Sequence, residues 1–400
     1  MIFTLIKNEF IKLMSRKKTY VVIIAFVLLL GVIGFGVYSQ AKHIREDSKP
    51  ENRIAREHEQ IKSLNNMKND PKIPKEDKKE FDREITEAYK RIDEIKEEAK
   101  KGKVDWRVTL KKEIKETEEQ LKQSKIQEVE KDRLTLDLQQ KRYLLNNDIE
   151  PKENKFEVRA IDYIEDVMGL LGIIFLVVGV IVFGSDMVSG EYTPPTMKFL
   201  LTEPVSRGKI LFAKFITLVV SSTIFILGIE LIAFLVMGLI FKFGDLNYPV
   251  QVGTKFAYNL AAKPEMGEPL VRAIAGTTFI IPMWKYIINM FLLQALFIIA
   301  CTAFTFMLST VLKSSMVSMA LSIVLVIVFN IFSSFPALKK VAQFIFTSYG
   351  SSPNILNGGI IQGFGNVNLT PTVIVIILAV WTVVCYIISH IVFSKKDILI

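Results

Sequence analysis

Charge in this chain is segregated, and that limits the folds open to it. Between residues 41 and 160, 31 Lys and Arg and 29 Asp and Glu fill 60 of 120 positions, whereas the other 280 residues hold 31 charges. No single globular core can absorb the first stretch, and long apolar runs in the remainder exclude a wholly disordered chain. One solvated insert interrupts a membrane protein.

A bilayer core about 30 Å thick is crossed by about 20 apolar residues rising 1.5 Å each. Apolar runs of that length predict an all-α polytopic membrane protein with six transmembrane helices, over 19–40, 161–185, 210–242, 284–312, 314–338 and 372–394. Residues 341–371 carry no charge either but are broken by Pro353, Gly358, Gly359, Gly363, Gly365 and Pro371, and Lys339 and Lys340 precede them. Orientation follows from the short basic flanks, which resist translocation. Lys7, Lys12, Arg16, Lys17 and Lys18, then Lys198, Arg207, Lys209 and Lys214, then Lys313, then Lys395 and Lys396 fall on one side if there are six spans. That side is the cytoplasm, with both termini and the tail 395–400 inside and the insert, the loop 243–283 and the segment 339–371 outside. A cleaved signal peptide is the rival reading of the N-terminus, but the first apolar run exceeds the usual 7 to 15 residues. Of the net charge of +9, +7 belongs to the residues outside 41–160, where it sits at loop ends and reads as orientation and not as nucleic-acid binding. Cys301 and Cys385 lie in apolar runs, so no disulfide holds the insert. A lysine-rich, cysteine-poor composition points to the cell membrane of a Gram-positive bacterium.

Within 41–160, Ile85, Ala88, Ile92, Ile95 and Ala99 follow the rhythm of a coiled-coil seam, and Ile114, Leu121, Val129, Leu136 and Tyr143 recur at near sevenfold steps. With Pro71, Pro74 and Pro151 as boundaries and Gly102 as the turn, an extracellular helical hairpin is expected, its second helix over 107–145. It serves as a spacer or dimerisation arm, or as a sensor or shield over an exit path.

The sequence has no P-loop: Gly208-Lys209 is followed by Ile210 where Ser or Thr is needed. His43, His58 and His390 are scattered, and neither H-E-x-x-H nor G-x-S-x-G occurs. No catalytic residue, metal ligand or cofactor is expected. Glu230 is an acid deep inside a span, where an unpaired carboxylate costs several kcal/mol. It marks a substrate or ion path with Asn289, Gln294 and Asn330, or it ties helices together through hydrogen bonds to them. Asp162, Glu165 and Asp166 complement a helix N-terminus.

The loop 186–209 is the most informative stretch, reading SGEYTPPTMKFLLTEPVSRGKILFAKF from Ser189 to Phe215. Thr193 before Pro194-Pro195 suits a helix N-cap, Pro204 ends the short helix, and Met197, Leu200 and Leu201 give it an apolar face. Ser206 can cap the next span. Such a helix either docks on a cytoplasmic partner or lies on lipid.

These residues resemble the corresponding loop of ABC type-2 exporter permeases, which carries a Glu near its start, a Thr-x-x-x-Leu-Leu core and a Pro-x-Ser-Arg end. The matches are Glu191, Thr196, Leu200, Leu201, Pro204, Ser206, Arg207 and Lys209, with Pro194-Pro195 standing where the family usually has Gly. The N-terminal segment 1–18 is similar to that family's interfacial elbow helix, with Phe3, Ile6, Phe10 and Leu13 on one face and Lys7 and Lys12 alongside. The segment 339–371 is similar to its outer re-entrant helices. The resemblance implies a permease subunit that pairs with a second copy or a sibling, contacts membrane lipid and is driven by a separate cytoplasmic ABC ATPase. Glu191, Thr196, Met197, Leu200, Leu201, Pro204, Ser206 and Arg207 would then couple ATPase closure to the spans. The expected cargo is amphipathic or hydrophobic: an antimicrobial peptide, a lipid-like molecule or a drug. Relatives that export sodium keep an ion open, and a membrane-anchored sensor or scaffold is the alternative class.

Overall fold

The computed structural model describes residues 2–69, 74–101, 105–122, 128–152, 158–192, 205–258, 271–274 and 276–395. In chain order, α1 (Ile2–Met14) and α2 (Lys17–Asp47) precede α3 (Pro50–Lys68), α4 (Lys75–Lys101), α5 (Trp106–Leu121) and α6 (Glu128–Asn146). Then come α7 (Ala160–Leu171), α8 (Phe175–Gly184), a 3-10 turn at Ser189–Tyr192 and α9 (Arg207–Phe241). Four short strands follow, β1 (Pro249–Val252), β2 (Phe256–Tyr258), β3 (Val271–Ala273) and β4 (Phe279–Pro282), before α10 (Met283–Val311) and α11 (Ser315–Ser334). The short helices α12 (Pro336–Ala342), α13 (Ser352–Leu356) and α14 (Gly359–Phe364) lead to α15 (Pro371–Lys395). Among the described residues, six segments are long and apolar enough to cross a membrane: α2, Phe175–Tyr192, α9, α10, α11 and α15. The chain is an all-α polytopic membrane protein.

It divides into two compact units: Met1–Gly34, Lys125–Gln140 and Arg159–Ile400 form one, Phe35–Ser124 and Lys141–Val158 the other. At the centre of the first lies α10, packed against α15, α9, α8 and α11. From Phe297 to Thr310 only Ile299 and Met307 escape full burial, the condition of a helix enclosed on all sides. Its hydroxyls are satisfied within the helix: Thr302, Thr305 and Thr310 donate to the carbonyls of Ile298, Cys301 and Phe306 at 2.7, 2.9 and 2.8 Å. Phe346, in a 3-10 turn before α13, stands 5.2 Å from both Phe304 and Trp381. The Trp381 indole donates to the Phe344 carbonyl at 2.7 Å, which ties the segment after α12 to α15.

The second span departs from expectation. In place of one helix over 161–185, α7 ends at Leu171 and α8 begins at Phe175. The reason is a backbone crossing: a Cβ on Gly172 would sit 1.7 Å from the Gly350 carbonyl oxygen, and one on Gly350 would sit 1.7 Å from that of Gly172. Beside the crossing, the Ser352 hydroxyl reaches the Met168 sulfur at 3.5 Å. Small residues admit such close approach in membrane packing. Gly358 has φ +81°, and a side chain there would strike the Phe256 ring at 2.6 Å.

The stretch 243–283 also holds strands that the sequence did not suggest. β1 pairs antiparallel with β4, Pro249 opposite Pro282, and β2 with β3, Phe256 opposite Ala273. Two-stranded pairs are marginal alone; here Val252, Phe256 and Ile281 are buried.

In the second unit, the seam on α4 meets α3. Ile61 packs with Ala88 and Ile92, flanked by Ile54 and Ile85, while Ala99 is exposed. Arg91 reaches Glu57 at 2.9 Å and Lys68 pairs with Asp82, which fixes an antiparallel hairpin. The helix expected over 107–145 is two helices, because the end of α6 returns beside α5: Glu113 meets Lys141 at 3.3 Å, Glu118 meets Arg142 at 2.6 Å and Arg107 meets Asp148 at 2.6 Å. Those pairs need a reversed chain. The expected boundaries Pro71 and Gly102 lie outside the described residues.

Candidate functional site

Four basic side chains near the N-terminus and at the start of α9 are neutralised by acids on neighbouring elements. Lys214, with no exposed surface, donates to both carboxylate oxygens of Glu9 at 2.8 Å and to Glu191 at 2.9 Å. Lys12 pairs with the same Glu191 oxygen. Nearby, Arg16 meets Asp186 at 2.7 Å, and Lys18 also pairs with Asp186. Two ammonium groups thus face two buried carboxylates, joining α1, the 3-10 turn and α9. A buried charge without its partner costs several kcal/mol, so each member fixes the others in place.

The same turn is held on its other side by hydroxyls. The backbone N–H groups of Val188 and Ser189 both donate to Ser309 Oγ, at 3.0 and 3.1 Å. Ser189 Oγ donates to the Ser185 carbonyl at 2.8 Å and lies 3.3 Å from Ser315 Oγ. Charge on one side and hydroxyls from the α10–α11 corner on the other clamp the root of the loop 193–204.

Of the residues singled out in that loop, Glu191 lies in the ion cluster, and Ser206 and Arg207 open α9. Ser206 occupies the N-cap position, but its side chain makes no capping bond. Arg207 interacts electrostatically with Tyr192. Gly208 lets the start of α9 approach α15, where a Cβ would stand 3.0 Å from the His390 ring. Thr196, Met197, Leu200, Leu201 and Pro204 lie outside the described residues.

Deeper in the bundle, Glu230 and Gln294 are both fully buried, and the Gln294 amide nitrogen stands 3.4 Å from Glu230 Oε1. Among the described residues, Glu230 Oε2 and Gln294 Oε1 have no hydrogen-bond partner. Of the other two residues grouped with Glu230, Asn330 donates instead to the Val326 carbonyl of its own helix at 2.9 Å. Asn289 is half-buried, and no hydrogen bond among the described residues joins it to Glu230.

A family model described as ABC-2 family transporter protein matches residues 3–398. The chain belongs to that family. No curated protein matches it. The ABC-2 membership makes the chain a multi-pass permease, a transmembrane subunit of an ABC exporter. Its six spans fit that architecture.

Sequence reasoning about this ABC-2 permease overlooked Glu9, Asp186 and Ser309, read Lys214 only as an orientation signal, and read Lys12 as an orientation signal and as a flank of the apolar face of α1. A clue was present for Glu9: it lies between Ile6 and Leu13 at three-four spacing, an acid on the apolar face of α1. On that face Leu13 is buried, whereas Phe3 is 86% exposed and Phe10 is 43% exposed. Lys214 follows Arg207 by two helical turns. Its burial depends on two acids far away in sequence, and no local pattern announces it.

Proposed function

We propose that this permease exports an amphipathic or hydrophobic substrate (an antimicrobial peptide, a lipid-like molecule or a drug) across the cell membrane, and that a separate ATPase chain drives it. The α1 end faces the cytoplasm together with both termini, and the residues between α2 and α7 lie outside. The functional unit is a pair of permeases, two copies or a sibling pair. The loop residues Thr196, Met197, Leu200, Leu201 and Pro204 dock on the ATPase, and Glu191, Ser206 and Arg207 carry the displacement into the spans.

The observation that carries this reading is the ion cluster of Glu9, Lys12, Glu191 and Lys214 at the root of the loop, in which Glu9, Glu191 and Lys214 are buried. A push on the loop reaches α1, α9 and, through Ser309, α10 without slack, because none of these contacts can be released cheaply. The test is ATPase activity and transport in the purified complex. Leu200→Asp or Arg207→Glu should leave the chain in the membrane while transport-stimulated hydrolysis falls to the basal rate. Normal transport by both variants would refute the coupling assignment.

Glu230, with Asn289, Gln294 and Asn330, is assigned to the substrate path. The two oxygens of Glu230 and Gln294 that lack partners support a second reading, a cation such as sodium as cargo, since carboxylate and amide oxygens are the ligands hard cations take. Loss of transport in Glu230→Gln with unchanged membrane levels supports a path role. Loss of the protein itself identifies a packing role. A sensor or scaffold, the other class, would not retain a cytoplasmic chain bearing a phosphate-binding loop on purification.

A further inference from the structure

Phe3, Ile6, Lys7 and Phe10 form one stripe of α1 at three-four spacing, and Thr217, Val220 and Ser221 form one stripe of α9. Between them runs a groove of about 290 Å³, at the lower edge of the roughly 300 to 1,000 Å³ that ligand pockets occupy. Three features of its lining point the same way. The walls are apolar, and two of the phenylalanines are exposed rather than packed. No acid lines it, and Lys7 has no ion-pair partner among the described residues, although Lys12, Arg16, Lys18 and Lys214 all have one. Ser221 is 2% exposed, lines the groove and has a hydroxyl without a hydrogen-bond partner among the described residues. Its neighbour Thr217 has spent its own hydroxyl on the Ile6 carbonyl at 3.3 Å. An orphaned hydroxyl in apolar surroundings is unfavourable and is relieved by an acceptor.

A cation at the mouth, apolar walls and a lone donor on the buried side match the three parts of a phospholipid: phosphate, acyl chain and glycerol ester carbonyl. We propose that this groove binds one anionic phospholipid from the surrounding leaflet. Its phosphate pairs with Lys7, its ester oxygen accepts from Ser221, and its chain lies against Phe3, Ile6, Phe10 and Val220. An anionic headgroup is favoured over a zwitterionic one because the latter carries its own cation, which leaves the Lys7 ammonium uncompensated.

Native mass spectrometry of the full-length protein tests the assignment, with dioleoylphosphatidylglycerol titrated in one arm and dioleoylphosphatidylcholine in another. One phosphatidylglycerol should be retained in preference to phosphatidylcholine. Lys7→Gln should weaken it about fivefold, the loss of one lysine's attraction for an anionic leaflet, and Lys7→Arg should restore it. Lys7 is exposed, so these variants keep the wild-type melting temperature. Ser221→Leu fills the groove from the α9 side and should lower retention without touching Lys7. Equal binding of the two lipids, or unchanged phosphatidylglycerol binding in Lys7→Gln and Ser221→Leu, identifies annular lipid only and overturns the proposal. Displacement of the lipid by millimolar inorganic phosphate also overturns it, because a free-phosphate site needs no acyl groove.

Discussion

An ammonium with no exposed surface is tolerable only while its carboxylates stay in place, and Lys214 has two. Lys214→Met would leave Glu9 and Glu191 facing each other with Lys12 as their remaining cation. The expected cost is about 3 to 5 kcal/mol, seen as a fall in the melting temperature of the detergent-purified protein, with Lys214→Arg falling less. A second residue-scale test concerns glycine. Gly172→Ala places a methyl 1.7 Å from a backbone oxygen that no rotamer change can move, so it should destabilise by more than about 3 kcal/mol, beyond ordinary overpacking. Gly31→Ala, whose Cβ would meet nothing within 4 Å, should leave the melting temperature unchanged or slightly raised. A glycine count cannot distinguish the two positions. What separates them is Gly350, far along the chain from Gly172.

At the scale of elements, apolar runs were legible because a membrane span is written contiguously in the sequence. The segments α2, α9, α10, α11 and α15 lie where the runs lie. Legibility failed where an element's state depends on a distant partner. The break between α7 and α8 answers to Gly350, and β1 finds its hydrogen bonds on β4. The α4 seam was visible, yet its partner was misread. Ile54 and Ile61 on α3 repeat sevenfold, but Glu, Arg and His crowd the positions between them. Packing and surface charge make different predictions for this hairpin. Ile92→Asp buries a carboxylate beside Ile61 and should cost more than about 2 kcal/mol, opening α3–α4 to limited proteolysis in the full-length protein. Arg142→Ala removes a half-exposed pair with Glu118 and should change stability by no more than about 1 kcal/mol.

For the molecule as a whole, an even number of spans returns the chain to the side where it began. Tags at the two ends should therefore be protected or digested together in sealed vesicles, whichever face they occupy. Opposite accessibility would remove one of the six spans, and Phe175–Tyr192 would be the first suspect, as the segment that begins at a break. The candidate site was legible at this scale only in outline. Its position between the second and third spans could be read from Glu191, Ser206 and Arg207, whereas the contribution of α1 could not, because Glu9 meets Lys214 only after the bundle has formed.

The crossing of Gly172 and Gly350 gives the second span a mechanical character. A continuous rod would carry a displacement from one end to the other unchanged. Two arms, twelve residues in α7 and ten in α8, meet instead at a point where two backbones touch. The helical ladder is interrupted there, so a tilt of one arm is not carried rigidly into the other, and the pinned crossing is the place where the span bends.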